Sequence, residues 1–138
     1  MTAKEYLRSI RDLDGKVEKL RELIAENWSK ATYSSPQWDT VGGSSSIVTR
    51  KPEQYAEKVE LYEEQFDRLF NMKVDALKTI MEVEDHIEAA LLMEYYINGK
   101  TWEETSEALG YSYYHIVHRL HPKALHSFEQ IYNAAYRS

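Results

Sequence analysis

Residues 101–120 read TWEETSEALGYSYYHIVHRL, and this stretch decides the fold of the C-terminal part of the chain. Thr101 is followed three residues later by a glutamate, the spacing of a capping box that satisfies free amide groups at a helix start. Gly110 supplies a turn that permits positive φ, and Ser112 can cap a second helix. Ile116 lies six positions after Gly110, where an apolar residue locks the second helix inward. The stretch predicts a helix-turn-helix.

The outward side of the second helix carries aromatic, imidazole and guanidinium groups, which meet base edges in recognition helices. The residues predicted to contact DNA there are Tyr113, Tyr114, His115, His118 and Arg119. Three residues nearby are expected to hold phosphates without reading sequence, namely Lys100, Thr101 and Lys123.

These residues resemble the region-4-type helix-turn-helix of sigma factors. The runs TWEETSEALGYS and HRLHPKAL are similar to the version in small phage-encoded regulators of the ArpU and RinA late-transcription type, over roughly residues 86–128. The N-terminal MTAKEYL and the predicted helical arm also resemble that family. The resemblance implies double-stranded DNA binding at a promoter, leaves contact with RNA polymerase open, and implies no catalysis. Trp102 then lies at the start of the positioning helix, and residues 113–119 form the recognition segment.

Two features depart from the sigma-like pattern. Arg119 stands where those sequences often have an inward apolar residue, and Leu120 comes one step late, so we expect a rotated or locally bulged recognition helix. Pro122 cannot donate to the carbonyl of His118, so it either kinks the helix or begins a new one. We favour a new helix that runs to about Tyr136.

Two heptad-like patterns upstream predict a long helical arm. The first helix spans about residues 2–27, with Thr2 and Glu5 at a capping-box spacing, and its seam residues are Ala3, Tyr6, Ile10, Leu13, Val17, Leu20 and Ile24. The second starts near Pro52, and its seam residues are Val59, Tyr62, Phe66, Leu69, Ala76, Ile80 and Val83, interrupted by Lys73. Serine, glycine and proline between them predict a flexible loop at about 29–51.

The patterns together predict an all-α protein. Residues 1–83 form a long antiparallel helical hairpin or coiled-coil arm, and residues 84–138 form a C-terminal helix-turn-helix domain that begins with a third helix ending at Asn98 and Gly99. The two arm helices can close as neighbours within one chain or pair with another subunit, and the sequence does not choose between these.

Composition limits the function classes. The 138-residue chain has a net charge of −6 and no cysteine, which excludes thiol nucleophiles and cysteine-type zinc sites. All of the net acidity lies before Gly99, so the neutral remainder stays compatible with DNA. No apolar run approaches the length of a membrane span or a signal-peptide core, and we expect a cytoplasmic protein.

Several other hypotheses about function are alternatives to the DNA-binding regulator. The spacing of His115, His118 and His121 suggests a metal site, but successive three-residue steps drift around a helix, so the three imidazoles do not share one face. We expect no metal, cofactor or enzymatic activity. The acidic charge favours a protein-interaction module as the alternative. A small terminase subunit is a further variant, which a ring of many subunits would distinguish. Because so few positive charges predict weak binding, we expect a homodimer through the arm that binds two DNA half-sites.

Overall fold

The computed structural model describes residues 1–33 and 45–136, with side chains at 1–31 and 53–136. The helices in those ranges are joined by short turns and no strand is present there, which confirms the all-α class. The helices are α1 (Ala3–Tyr33), α2 (Ser45–Ile80), α3 (His86–Leu92), α4 (Trp102–Leu109), α5 (Tyr113–His115) and α6 (His121–Tyr136). A first π-helical turn follows α3 at Met93–Ile97, and a second follows α5 at Ile116–Leu120.

The two long helices pack as a helical hairpin and are longer than predicted. α1 continues to Tyr33, and α2 already begins at Ser45, so the predicted loop at 29–51 was wrong at both ends. Its middle, residues 34–44, lies outside the described residues. The predicted start near Pro52 was also wrong. Composition misled here because serine is as compatible with a helix start as with a linker.

The contacts of the chain divide it into two units. We call residues 1–14 with 71–138 the terminal unit and residues 15–70 the hairpin unit. The boundary predicted between residues 83 and 84 therefore falls inside the terminal unit. The physical reason is its core, in which Leu7 from α1, Ile80 at the end of α2 and Val83 just after α2 are buried with side chains of α3 and α6.

Within the hairpin unit, α1 and α2 run antiparallel. The Arg21 guanidinium lies 5.9 Å from the centroid of the Phe66 ring, and the Lys30 ammonium lies 5.5 Å from that of Tyr55, so later residues of α1 meet earlier residues of α2. Exposed ion pairs one turn apart lie on α1, such as Lys30 with Glu26 at 3.2 Å. Such exposed pairs contribute only a few tenths of a kcal/mol each, roughly, so the stability of this unit comes from its buried seam.

The seam of α1 differs from the prediction near its start. Leu7 is fully buried there, whereas Tyr6, the predicted seam residue, is only partly buried. The Tyr6 ring lies 6.3 Å from Phe128 and 5.2 Å from Tyr132, centroid to centroid, so this part of α1 also packs on α6. The buried stripe shifts by one residue because two neighbours, not one, cover the helix.

The local signals of the helix-turn-helix are confirmed. The Thr101 hydroxyl accepts from the Glu104 amide at 3.1 Å, and the Glu104 carboxylate accepts from the Thr101 amide at 3.0 Å. Gly110 has a φ of 76°, in the left-handed region. The Ser112 hydroxyl accepts from the backbone amide at residue 115, at 3.2 Å, and Ile116 is fully buried. The capped helices and the buried isoleucine hold the second helix at a defined angle.

The turn between the first π-helical turn and α4 depends on Gly99. Its φ is 67°, and a Cβ atom at this position would lie only 2.7 Å from Oδ2 of Asp14. The Asp14 carboxylate in turn accepts from the ammonium of Lys73 at 3.0 Å. Lys73, the lysine that interrupts the predicted seam, is therefore paired with Asp14, and the Asp14 carboxylate also lies close to the backbone at Gly99.

The expected bulge in the recognition helix is present as the second π-helical turn. The amide of His121 donates to the carbonyl of Ile116, five residues back, so the turn holds one extra residue. Leu120 is then partly buried although it comes one step late, and Arg119 stays exposed. Pro122 lies in the first turn of α6, which begins directly after the π-helical turn and ends at Tyr136. α6 is thus the predicted new helix, but no break precedes it.

Candidate nucleic-acid interface

The outer side of the recognition segment is an exposed surface of aromatic and basic groups. Tyr113 and Tyr114 are 48% and 63% exposed, and both follow the capped start of α5. His118 and Arg119 are exposed in the second π-helical turn, whereas His115 is partly buried. Four of the five predicted base-contacting residues are thus exposed, in two adjacent pairs about one turn apart on one continuous helical segment.

Aromatic pairs one turn apart hold this surface in place. The rings of Tyr114 and His118 lie 4.5 Å apart, centroid to centroid, and those of Tyr111 and His115 are stacked at 5.2 Å. Side chains that are already held lose less conformational entropy on binding. The pairs therefore favour Tyr114 and His118 as a preorganised contact, and they turn His115 toward Tyr111.

The three predicted phosphate-contacting residues have different surroundings. Lys100 forms an ion pair with Glu94, and the Thr101 hydroxyl is the cap of α4. The hydrogen bonds from Thr101 also lower the pKa of the Glu104 carboxyl, which keeps the capping box ionised. Lys123 is exposed on α6. Of the three, only Lys123 forms no hydrogen bond or ion pair with another of the described residues.

Sequence reasoning missed a basic face on α1. Lys4, Arg8 and Arg11 follow one another at four- and three-residue steps, so they share one side of the helix, and this spacing was the signal available in the sequence. The Arg11 guanidinium donates to the carbonyls of Tyr95 and Lys100, at 2.5 and 2.8 Å, and lies 3.9 Å from the Tyr95 ring centroid. Arg11 therefore ties α1 to the turn that precedes the helix-turn-helix.

The basic face opens onto a cleft of about 370 Å³ within the terminal unit, which we call the basic cleft. It lies between α1, the two π-helical turns and the start of α4. The basic cleft is lined by Lys4, Arg8, Arg11, Asp12, Tyr95, Tyr96, Trp102, Val117 and His121. Both π-helical turns contribute to it, and such turns occur often at functional sites.

An aromatic cluster forms one wall of the basic cleft. The Tyr95 and Trp102 rings are stacked at 3.6 Å, and the edge of His121 meets Trp102 at 4.5 Å, measured between ring centroids. The Tyr96 hydroxyl lies 2.7 Å from Nε2 of His121. Burial, followed by the charges of Lys4 and Arg8, lowers the pKa of His121 to about 4. Its imidazole is therefore neutral at neutral pH.

The histidines do not converge on a common point. His115 lies against Tyr111, His118 against Tyr114, and His121 against Tyr96 and Trp102. Within residues 1–33 and 45–136, no three side chains of histidine or carboxylate type come together as metal ligands do. The groups on this side of the molecule are aromatic rings, imidazoles and cations.

In comparisons with known proteins, no protein-family model, no curated protein and no solved structure matches the chain. Among the described helices, none combines the length and the apolar character needed to cross a membrane.

Proposed function

We propose that this chain is a DNA-binding transcriptional regulator of the sigma region-4-like kind, acting at a promoter of a phage or prophage. The observation that carries the proposal is the second helix of the helix-turn-helix. Ile116 is fully buried beneath it, while Tyr113, Tyr114, His118 and Arg119 are exposed on its outside. A rigidly held helix with planar and cationic groups on its free side fits the major groove.

The residues have distinct roles in this proposal. Arg119 donates to guanine, because a guanidinium can form two parallel hydrogen bonds with the O6 and N7 atoms of that base. Tyr114 and His118 make the adjoining contacts as a preorganised pair. Lys123 and Lys100 contact phosphates, and Thr101 acts through the cap that positions α4. The chain has no role as an enzyme in this account.

The experiment that tests the proposal is binding to sheared DNA of the chain's own genome, with the bound fragments sequenced. We expect one promoter to be enriched, and Arg119→Ala to weaken binding to it by about 5- to 150-fold, equivalent to about 1–3 kcal/mol. Arg68→Ala is the matched control, because Arg68 is an exposed arginine of the hairpin unit that bonds to Gln65 at 2.8 Å. The control should bind like the natural chain.

The alternative function is a protein-interaction module, and the charge of the chain favours it. A net charge of −6 weakens the attraction to DNA phosphates that most DNA-binding proteins use. No enrichment at low or moderate salt, with a folded protein, would favour this alternative, and affinity capture of the partner would follow. A ring of many subunits in solution would instead favour the small terminase subunit.

Dimerisation and polymerase contact are further parts of the proposal. Two subunits joined through the hairpin would bind two half-sites and so compensate for the weak affinity of one domain. Sedimentation of the chain alone and on the enriched fragment measures this directly. We expect a dimer on DNA, and a monomer under both conditions would contradict it. Contact with RNA polymerase is tested by adding the enzyme to the promoter complex.

A further inference from the structure

The basic cleft contains basic side chains whose charge no carboxylate of the described residues neutralises through an ion pair. Arg11 is occupied by two carbonyls and by the Tyr95 ring. Lys4 and Arg8 are exposed, and neither forms an ion pair with a carboxylate in the part of the chain that the structure describes. Asp12 is the one acidic residue in the lining. The cleft therefore has an excess of positive charge beside partly buried walls.

The opposite wall adds a neutral imidazole. Tyr96 is 2% exposed, and its hydroxyl lies 2.7 Å from Nε2 of His121, which lines the cleft. A neutral imidazole keeps one ring N–H group that can donate a hydrogen bond. Two cations and one neutral imidazole thus border a space that no described side chain fills.

We infer that the basic cleft binds a phosphate group, with Lys4 and Arg8 as its charged contacts. Guanidinium and ammonium groups are the side chains that recognise phosphate, through charge-assisted hydrogen bonds. The volume of about 370 Å³ is in the range of small-ligand sites and leaves room for the ester that carries the phosphate.

Two sources can supply this phosphate. Val117 and His121 line the cleft, and they alternate in sequence with the exposed Tyr114 and His118 of the recognition segment. A DNA backbone phosphate beside the recognition helix is therefore one source, and this form of the inference rests on the proposed function. A small phosphorylated compound is the other source, and that form does not.

The first arm of the test uses inorganic phosphate and pyrophosphate with the full chain at constant ionic strength. The indole N–H of Trp102 and the imidazole of His121 report binding by nuclear magnetic resonance. We expect saturable shifts that the double variant Lys4→Ala/Arg8→Ala weakens at least about tenfold, since it removes two charge-assisted contacts. The matched control is Lys19→Ala/Arg68→Ala, two exposed basic residues of the hairpin unit.

Binding should also change the titration of His121. The charged and titratable groups around its ring are Lys4, Arg8, Arg11 and Asp12 of α1 and the phenols of Tyr95 and Tyr96. A bound phosphate adds negative charge among them and stabilises the imidazolium, so the pKa of His121 should rise from about 4. A purely structural role for Lys4 and Arg8 would not produce a rise that depends on phosphate.

The second arm measures DNA affinity against salt concentration. If both cations meet DNA phosphates, the double variant should lower the slope of log affinity against log salt by about 2, whereas its control should lose none. If the double variant loses inorganic phosphate binding and its salt slope is also lower, the natural ligand is a DNA phosphate. If it loses inorganic phosphate binding while its salt slope is unchanged, the natural ligand is a free phosphorylated compound. A lowered slope that is confined to the cleft variant also supports the inference.

The inference is overturned if inorganic phosphate and pyrophosphate give no saturable shift and the salt slope is unchanged. It is also overturned if the control variant changes both measurements as much as the cleft variant does. Failure of the proposed function is separate from this. DNA binding that depends on Arg119 but not on the cleft would support the proposed regulator and contradict the phosphate site. Phosphate binding by a chain that has no affinity for DNA would support the phosphate site and contradict the proposed regulator.

Discussion

The hairpin unit and the terminal unit bury apolar helix faces in different ways. The hairpin unit uses a regular seam between two helices, with exposed ion pairs outside and one stacked pair of phenylalanines, Phe66 and Phe70, at 5.8 Å. The terminal unit uses short capped helices, a cluster of aromatic rings and, within the described residues, both π-helical turns. The irregular backbone thus lies in the unit that holds the proposed contacts with DNA and phosphate.

The largest expected effect separates the two units by the burial of a phenylalanine. Phe128→Ala in the terminal unit should lower the free energy of unfolding by about 3–5 kcal/mol, because the ring is fully buried and its loss leaves a cavity. Phe66→Ala in the hairpin unit should cost only about 1 kcal/mol, since that ring is partly exposed. Urea unfolding followed by circular dichroism measures both. Equal losses would show that the units do not differ in packing.

The second prediction concerns the turns of the terminal unit. Gly110→Ala should lower the free energy of unfolding by about 1–2 kcal/mol, because φ there is 76°. The space around this position is open, so a Cβ atom would add no clash. Gly99→Ala should cost more, because a Cβ atom would also meet the Asp14 carboxylate at 2.7 Å. The same unfolding measurement gives the difference. The Gly99→Ala substitution is also made in an Asp14→Ala background, where the carboxylate is absent. If it lowers the free energy of unfolding there as much as it does in the natural chain, the close contact is not the cause.

The third prediction is a pH dependence of stability that arises from a buried histidine of the terminal unit. The pKa of His121 is lowered to about 4 in the folded chain, so the unfolded state binds the proton more readily below about pH 6.5. Stability should therefore fall as the pH decreases from about 6.5 to 4, by at most about 1.4 kcal/mol per unit. His121→Gln should reduce that slope, and His126→Gln, an exposed control on α6, should keep it. An identical slope in all three proteins would contradict the assignment.

The smallest expected effect is in the hairpin unit. Gly15 lies inside α1 with no atom near the position that a Cβ would take, so the reason for a glycine there is not steric. Gly15→Ala should raise the free energy of unfolding by up to about 1 kcal/mol through helix propensity. Thermal unfolding compared with the natural chain measures it. A loss of stability would indicate a role for Gly15 that its surroundings do not show.

Short-range features of the fold followed from the sequence. The caps by Thr101 and Ser112 and the turn at Gly110 need partners within four residues, so their spacing predicts them. The late position of Leu120 predicted a rotated or locally bulged helix, and the second π-helical turn is such a bulge. Heptad periodicity predicted most of the seam, because a hairpin repeats the same contact along its length.

Long-range packing could not be predicted in the same way. Arg11 reaches carbonyls 84 and 89 residues further along the chain, and no local pattern specifies that meeting. The shift of the buried position from Tyr6 to Leu7 has the same origin, since it depends on α6 packing against α1. The basic cleft was missed because its cations and its aromatic wall come from opposite ends of the sequence.

The most direct test of the central claim is to map where DNA touches the folded chain. A short duplex of unselected sequence is added to the isotope-labelled protein at low salt, where binding through phosphates is strongest. We expect chemical-shift changes concentrated at Tyr113, Tyr114, His118 and Arg119, which Arg119→Ala diminishes and Arg68→Ala does not. Changes confined to the hairpin unit, or none at all, would contradict a DNA-reading helix-turn-helix.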